Sequence, residues 1–317
     1  MAKTMKAIVQ HRYGPPDQAL TLDDIPAPVP GDRDVLIRVR AAGVNALDWH
    51  QVGGKPVIAR PAMSRGEPKI RVRGVDVAGT VESVGKDVTS LRPGDDVFGW
   101  CAGAFAEIAT APEDHFVSKP SSLSYEEAAA VPVAALTALQ GLRDKGRLQA
   151  GQQVLINGAG GGVGTFAVQI AKALGATVTA VSRNVDLMRS LHADVVIDYT
   201  REDFTKASAR YDLVFENGGS HPISAVRRTL KPGGILVYNS GASLGRIAMA
   251  QLLSRLGQRV YMFLANLNQA DLMLVRTFIE EGKVTPVVDR LYPLAETPAA
   301  ISYVEAGSAR GKVVITV

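Results

Sequence analysis

The sequence has few of the features that mark secreted, membrane-spanning or disulfide-linked proteins. It contains a single cysteine, Cys101, which excludes an intrachain disulfide and a zinc site of four cysteines. No apolar run reaches the length that a bilayer requires, and the N-terminal segment lacks the apolar core and small-residue cleavage site of a secretory signal. We therefore expect a cytoplasmic protein that has no membrane partner.

The charge is nearly balanced, and the composition is ordinary for a globular protein. The 317 residues carry a formal net charge of +4, and 46% of them are hydrophobic. The length is enough for about two domains. The small positive charge suits an anionic cofactor and is too weak to indicate nucleic-acid binding.

The most informative stretch covers residues 153–175, where an apolar strand, a glycine-rich turn and an amphipathic helix follow one another. The run from Val154 to Ile156 is typical of a buried parallel strand, and the polar Asn157 ends it. The next apolar residues recur at the spacing of a helix packed on a sheet, at positions 163, 166, 167, 170, 171 and 174. Gly175 is placed to cap that helix. The stretch therefore predicts a βα unit.

The turn in this unit matches the dinucleotide-binding spacing G-x-G-x-x-G, with alanine in the first place. The motif positions and the residues between them are Ala159, Gly160, Gly161, Gly162, Val163 and Gly164. The central glycine lets the backbone approach a pyrophosphate, and the last lets the helix pack closely on the strand. Backbone N–H groups and the positive end of the helix dipole hold the anion. We predict that these residues bind a nicotinamide dinucleotide; the alternative is a tight turn without a ligand.

Short strands alternate with helical patterns after residue 153, as in a doubly wound parallel sheet. We predict six strands there, at residues 153–157, 177–181, 195–197, 211–215, 235–239 and 260–263. A turn at residues 231–234 is expected to feed the fifth strand. The N-terminal part is mostly β by its alternating pattern, and Ser124 begins a capping box that predicts a helix over 125–131.

After residue 264, a helix over 270–281 and short β segments complete the chain. A C-terminal strand after a nucleotide domain most simply returns to the first domain. We predict an α/β fold with a β-rich catalytic domain of residues 1–124 and 264–317 and a doubly wound dinucleotide-binding domain of residues 125–263.

Several motifs occur in a characteristic order along nearly the whole chain. They are Ala41-Ala42-Gly43-Val44-Asn45 with Asp48, the glycine-punctuated run from Gly74 to Gly85, Arg92-Pro93-Gly94-Asp95, Gly103-Ala104-Phe105-Ala106-Glu107, Val131-Pro132, the glycine turn, Ala193-Asp194 through Tyr199, Lys231-Pro232-Gly233-Gly234 and Gly311-Lys312-Val313-Val314. This order resembles that of the medium-chain dehydrogenase/reductase superfamily, in its zinc-free quinone oxidoreductase branch, the zeta-crystallin-like proteins. No tyrosine is followed four positions later by lysine, which argues against a short-chain dehydrogenase.

The resemblance implies a GroES-like catalytic domain beside a Rossmann domain, with the nicotinamide in the cleft between them, and a homodimer. It also implies no metal. Zinc-dependent relatives place a cysteine where Asn45 stands and a His-Glu pair where Val75-Asp76 stand, and neither set of ligands is present. The five histidines are scattered, so that their spacing gives no tetrahedral site.

The residues after the second strand of the nucleotide domain favour NADP(H) over NAD(H). NAD-selective folds usually place an acid there for the ribose 2′-hydroxyl, whereas an arginine favours a 2′-phosphate. This chain has Ser182 and Arg183, and the nearest acid is Asp186. We expect Ser182 and Arg183 to contact the cofactor; the alternative is a solvent-facing loop arginine.

The resemblance implies further cofactor contacts at Thr137, Tyr199, Asn217, Ser240 and Gly241. Tyr199 follows the third strand and is expected on the adenosine-phosphate side. Asn217 follows the fourth strand, and Ser240 with Gly241 follows the fifth, at the carboxyl ends where such sheets bind ligands. Each has a purely structural alternative: Tyr199 as a packed tyrosine at a strand end, Thr137 as an ordinary helix threonine, and the loops at Asn217 and at Ser240 with Gly241 as routine chain reversals.

Two residues are candidates for catalysis. The amide of Asn45 can donate to a carbonyl oxygen as negative charge builds there, although a turn asparagine satisfied by backbone is the alternative. His50 lies near where many relatives have a tyrosine beside the nicotinamide and can donate a proton; an idle, partly exposed histidine is the alternative. We expect Asp48 to anchor the local turn and Trp49 to be a wall of the cleft or core.

The predicted function is NADPH-dependent transfer of hydride, without a metal, to a small-molecule quinone or α,β-unsaturated carbonyl. One alternative is an enoyl-thioester reductase, in which the basic segment from Arg60 to Arg73 would serve as a rim that attracts an anionic substrate; a solvated loop and strand face is the plainer interpretation of that segment. Another alternative is a cofactor-binding sensor or structural protein with little turnover.

Overall fold

Two large sheets of different topology, together with a two-stranded antiparallel sheet near the N-terminus, organise the described chain. The computed structural model describes residues 3–54, 68, 71–219, 221–239, 252 and 259–317. The chain forms two compact units. Unit 1 consists of Met1–Val133, Leu267–Arg276 and Pro286–Val317, and unit 2 consists of Ala134–Asn266 and Thr277–Thr285. Domain boundaries at residues 124 and 264 stay a prediction.

The strands are β1 Thr4–Gln10, β2 Leu20–Pro26, β3 Asp34–Val44, β4 Asp76–Val84, β5 Asp96–Trp100, β6 Ile108–Pro112, β7 Phe116–Ser118, β8 Gln153–Asn157, β9 Thr177–Val181, β10 Val195–Ile197, β11 Tyr211–Glu216, β12 Leu230–Tyr238, β13 Val260–Met262, β14 Val288–Pro293 and β15 Lys312–Thr316. The α-helices are α1 Pro16–Ala19, α2 Ala46–Gly53, α3 Tyr125–Ala129, α4 Pro132–Gln140, α5 Gly162–Ala173, α6 Val185–Ser190, α7 Ile223–Arg227, α8 Gln269–Glu280 and α9 Thr297–Glu305. In the described part of the chain, no helix is both long and apolar enough to cross a membrane.

Unit 1 is built on a mixed sheet in the order β14-β15-β3-β4-β5-β7, with β6 also paired to β3. The C-terminal β15 runs antiparallel to β3, and Val314 lies opposite Gly43. The apolar residues of the alternating strands face a core that includes Ile37, Val97 and Phe105, all fully buried. The β-rich first domain predicted from the alternation is confirmed.

Unit 2 contains a fully parallel sheet in the order β10-β9-β8-β11-β12-β13. The run from Val154 to Ile156 in β8 is fully buried, as a central parallel strand requires. After β8, the chain adds β9 and then β10 on one side of this strand, and it then adds β11, β12 and β13 on the other side. The strand order therefore reverses at β8, which is where doubly wound sheets bind ligands. The predicted Rossmann-type sheet is confirmed.

The structure corrects two local predictions. The segment 231–234, predicted as a turn before the fifth strand, lies within β12, which begins at Leu230. Tyr211 pairs with Leu230 and Leu213 with Ile235, so the extra residues of β12 bulge out between two paired positions. The helix predicted over 125–131 begins correctly, with Ser124 accepting from the Glu127 N–H at 3.1 Å, but it ends at Ala129 before Pro132 begins α4.

Candidate functional site

The glycine turn joins β8 to α5 at the point where the strand order reverses. Gly158 has φ +75°, a left-handed conformation that favours glycine, and Gly161 immediately precedes α5. A Cβ atom on Gly164 would overlap the carbonyl oxygen of Gly158 and would lie 2.6 Å from the Ala159 Cα atom. Gly164 therefore cannot carry a side chain without moving the helix away from the strand. A Cβ atom on Gly161 would meet only the Gly158 oxygen, at 3.6 Å, so this part of the turn is open.

Ser182 lies directly against the same turn, at the end of β9. A Cβ atom on Gly160 would lie 2.7 Å from the Ser182 Oγ atom. Ser182 is 4% exposed, and its hydroxyl accepts a hydrogen bond from the Asn184 N–H at 3.1 Å. The structure thus brings together the turn and one of the predicted cofactor residues.

Arg183 and Tyr199 present polar groups to solvent beyond the ends of β9 and β10. Arg183 is exposed, and its side chain makes no hydrogen bond or ion pair to any residue that the structure describes. Asp186, the nearest acid in sequence, is 96% exposed and lies 3.6 Å from Arg189. Tyr199 is 50% exposed, and its predicted contact with the cofactor stays a prediction.

A buried polar network lies at the carboxyl ends of β8, β11 and β12. The Glu216 carboxylate is fully buried and accepts from the Asn157 amide at 2.8 Å and from the Gly219 N–H at 2.7 Å. Asn217 accepts through its side-chain oxygen from the Asn239 amide at 3.1 Å. The network fixes the loops after these strands. Sequence reasoning missed Glu216, because an acid at the end of an apolar strand usually stays in solvent.

Two predicted cofactor residues, Ser240 and Gly241, lie outside the described residues. Thr137 lies in α4 and is 6% exposed. Its predicted contact with the nicotinamide stays a prediction.

A second polar cluster lies in unit 1, around the predicted catalytic Asn45. The Lys312 ammonium donates to the Asn45 Oδ1 atom at 2.6 Å and to the Asp76 Oδ2 atom at 3.1 Å. The Asn45 amide nitrogen donates to the same Asp76 oxygen at 2.9 Å. The other Asp76 oxygen accepts from the Val133 N–H at 2.9 Å. The Lys312 side chain is 3% exposed and that of Asp76 is fully buried, so an ion pair is held inside the unit.

Asp48 anchors the beginning of α2, as expected. Its Oδ2 atom accepts from the Asn45 N–H at 2.7 Å, and its Oδ1 atom is buried with no hydrogen-bond partner among the described residues. Burial raises the pKa of Asp48 from its usual 3.8 to about 7, and the charge of Asp76 adds to this increase. The hydrogen bond from Asn45 and the positive charges of Lys312 and Arg73 act in the opposite direction.

His50 and Trp49 lie side by side on α2. Their rings stack with centroids 3.6 Å apart, and both residues are partly buried. The proton-donor role of His50 stays a prediction.

The basic segment from Arg60 to Arg73 lies mostly outside the described residues. Arg73 is described, and it is only 7% exposed. Its guanidinium donates to the Gln10 side-chain oxygen, and to that of Gln51 at 3.3 Å. Both the rim and the solvated-face interpretations are therefore wrong for Arg73, which is part of the interior of unit 1.

Comparisons with known proteins agree with this arrangement. The family described as "Alcohol dehydrogenase GroES-like domain" matches residues 31–121, and that described as "Zinc-binding dehydrogenase" matches residues 191–315. A 2-methylene-furan-3-one reductase of Solanum lycopersicum is 32% identical over 98% of this chain and 79% of its own length. The chain belongs to the medium-chain dehydrogenase/reductase family.

Another member of the family, the chloroplastic NADPH-dependent alkenal/one oxidoreductase of Arabidopsis thaliana, is 32% identical over 99% of this chain and 80% of its own length. A solved structure, the quinone oxidoreductase from Coxiella burnetii, is 31% identical and superposes with a TM-score of 0.87. That match covers 99% of this chain and 100% of the Coxiella chain.

The residues present do not fit the zinc ion that one family description implies. Among the residues that the structure describes, no group of three His, Cys, Asp or Glu side chains is arranged to hold a metal. Around Asn45, the Lys312 ammonium already contacts Asn45 Oδ1 and Asp76 Oδ2, the oxygen atoms that a metal ion would need as ligands. Cys101 is buried, and burial raises the pKa of its thiol to about 12, so it does not offer a thiolate.

The residues of the glycine turn do fit a nicotinamide dinucleotide. Gly164 allows the helix to pack closely on the strand, and the open position at Gly161 leaves the backbone accessible. Both properties are those that the dinucleotide motif requires.

Proposed function

We propose that this protein is an NADPH-dependent oxidoreductase that reduces a quinone or an α,β-unsaturated carbonyl without a metal. The observation that carries the proposal is the glycine turn, where backbone is accessible and Gly164 has no room for a side chain. The named activities of the tomato, Arabidopsis and Coxiella relatives, each similar over nearly the whole chain, support the acceptor class.

Each unit would contribute a different part of the reaction. In unit 2, the glycine turn and the beginning of α5 would hold the pyrophosphate, with Ser182, Arg183 and Tyr199 toward the adenosine end. Thr137, Asn217, Ser240 and Gly241 would contact the ribose and nicotinamide. A bound NADPH supplies the hydride.

Unit 1 would stabilise the charge that develops on the acceptor. The Asn45 amide would donate a hydrogen bond to the carbonyl oxygen as it gains negative charge. Addition of hydride must be balanced by one proton, which water or His50 would supply. No residue needs to form a covalent bond with the substrate.

The test of this function is a screen of NADPH consumption over quinones, enals and enones, with a crotonyl thioester as a separate arm. We expect saturable turnover with a quinone or an enone. Turnover of the thioester alone would favour an enoyl-thioester reductase, and stoichiometric NADPH binding without turnover would favour a sensor; either result would contradict the proposal.

We propose that Arg183 selects NADPH over NADH by pairing with the 2′-phosphate. Its side chain is exposed, it follows Ser182, which lies against the turn, and no carboxylate stands at the end of β9 in the described chain. Arg183→Ala should therefore raise the Kd for NADPH by about 10-fold or more and leave the Kd for NADH nearly unchanged. Arg189→Ala is the matched control, because Arg189 is equally a surface arginine but lies beside Asp186. An unchanged preference in Arg183→Ala would show that the assignment is wrong.

We also propose that the protein is a cytoplasmic homodimer, as the sequence and the family resemblance predicted. Light scattering of the purified protein tests the dimer, and cell fractionation tests the compartment. The Arabidopsis relative is named as chloroplastic, so fractionation has a clear alternative outcome.

A further inference from the structure

Lys312 is the least expected member of the cluster around Asn45. It begins β15, far from Asn45 in sequence, and its side chain is almost fully buried. A buried ammonium is costly unless it is paired, and here it contacts both the Asn45 amide oxygen and the Asp76 carboxylate. A lysine that only stabilised the sheet would not need to contact an asparagine amide proposed for catalysis.

The three side chains permit only one orientation of the Asn45 amide. An ammonium can only donate and an ionised carboxylate can only accept hydrogen bonds. The amide oxygen must therefore face Lys312, and the amide nitrogen must face Asp76, as the distances of 2.6 Å and 2.9 Å show. A flipped amide would place N–H against ammonium and oxygen against carboxylate.

This orientation leaves a defined donor. The amide nitrogen carries two hydrogens, and Asp76 takes one of them. The second hydrogen extends in the amide plane on the other side of the nitrogen. The positive charge at the amide oxygen withdraws electron density from the amide, which strengthens this remaining N–H as a donor to a negatively charged oxygen.

We propose that Lys312 is a positioning residue, which fixes and polarises the Asn45 amide as the donor to the reduced acceptor's oxygen. This inference rests on the proposed function for the identity of the acceptor. Lys312 acts through Asn45 and does not itself touch the substrate. Asp76 completes the arrangement by holding the amide nitrogen and balancing the ammonium charge.

The main test replaces both charges together, as Lys312→Met with Asp76→Asn, so that neither charge is left unpaired in the interior. We expect kcat to fall by about 10- to 100-fold, with KM for the acceptor and Kd for NADPH nearly unchanged. The matched control is Lys231→Met with Asp212→Asn, which removes a second lysine–aspartate pair, 2.8 Å apart in unit 2. That control should retain wild-type kcat.

Asn45→Ala shows whether Lys312 acts through the amide. This variant alone should lower kcat by about 100-fold or more, and adding the charge-pair substitutions should cause no further fall, because the two act as one unit. Losses that multiply in the combined variant would overturn the proposal. An unchanged kcat in Asn45→Ala would also overturn it, even if the charge-pair variant did not fold.

Hydrogen exchange of the Asn45 side-chain amide, followed by NMR with nitrogen-15 asparagine, separates this inference from the proposed function. We expect the exchange to be at least 10-fold faster in the charge-pair variant than in the wild type, because the amide is no longer held. Equal exchange rates would overturn the positioning role. If the wild type reduced no acceptor, the proposed function would fail, while the exchange rates would still decide the role of Lys312.

Discussion

Asp48 shows how a single buried side chain can make the protein sensitive to pH. Its carboxyl group is fully buried, and one oxygen has no hydrogen-bond partner in the described part of the chain. Burial raises its pKa to about 7, against 3.8 in a solvated chain. Between these two values the folded protein keeps a proton that the unfolded chain releases, so the free energy of unfolding falls as pH rises through this range.

Asp48→Asn should remove this dependence, because an amide keeps an oxygen for the Asn45 N–H and does not ionise. As the pH rises from 5 to 8, we expect the unfolding free energy of wild type to fall by roughly 2 to 3 kcal/mol relative to that of the variant. Urea unfolding at a series of pH values measures the difference. Asp186→Asn, at an exposed carboxylate, is the control and should show no such trend. Parallel wild-type and Asp48→Asn curves would contradict the prediction.

At the residue scale, sequence reasoning was most effective where the chemistry is local. The capping role of Asp48 could be predicted because its partner, Asn45, is three positions away. Lys312 and Asn45 are separated by 267 positions, so local sequence patterns cannot show that the two side chains meet. A charged residue in front of the apolar run Val313 to Ile315 was the only available signal.

The β8–turn–α5 element depends on two glycines for different reasons. Gly164→Ala would force a Cβ atom into backbone of the same turn, which cannot move independently of the strand. We expect a loss of about 1 to 3 kcal/mol in stability, with weakened NADPH binding as a consequence. Thermal unfolding and a fluorescence titration with NADPH measure both effects.

Gly161→Ala is the matched variant within the same turn. Its Cβ atom would meet only the Gly158 oxygen, at an ordinary 3.6 Å, so the melting temperature should stay close to that of wild type. The added methyl would stand where the backbone must approach the pyrophosphate, and we expect the Kd for NADPH to rise by about 10-fold or more. Equal NADPH affinity in Gly161→Ala and wild type would contradict a pyrophosphate at this turn.

At the element scale, the central parallel strand β8 was predictable because its residues Val154 to Ile156 are buried on both faces. Predicted and observed bounds agree for β8, β9 and β10, and each of these strands ends at or directly before a polar residue, namely Asn157, Ser182 and Asp198. The prediction was wrong at β12, where Pro232, Gly233 and their neighbours look like a turn in sequence. Pairing with β11 on both sides of this segment keeps it within the strand as a bulge, which local pattern cannot show.

At the scale of the whole molecule, each of the two large sheets carries a different part of the predicted chemistry. The parallel sheet of unit 2 provides the accessible backbone that a nucleotide requires, and the mixed sheet of unit 1 carries the Asn45 cluster on β15, β4 and the beginning of α2. The sheet class could be predicted from the alternation pattern. The cluster could not, because it forms only when β15 pairs with β3 at the opposite end of the chain.

The proposal that the reaction needs no metal concerns the whole protein and can be tested directly. A zinc ion near Asn45 would either displace the Lys312 ammonium from its contacts with Asn45 and Asp76 or share the Asp76 carboxylate with it, and like charges so close repel each other. We therefore expect that dialysis against a chelator changes neither the melting temperature nor NADPH-dependent turnover, and that added Zn²⁺ does not raise the melting temperature. A zinc-dependent alcohol dehydrogenase treated in the same way is the control, and it should lose activity. Stoichiometric zinc that survives dialysis, measured by plasma mass spectrometry, would show that the cluster around Lys312 rearranges in solution.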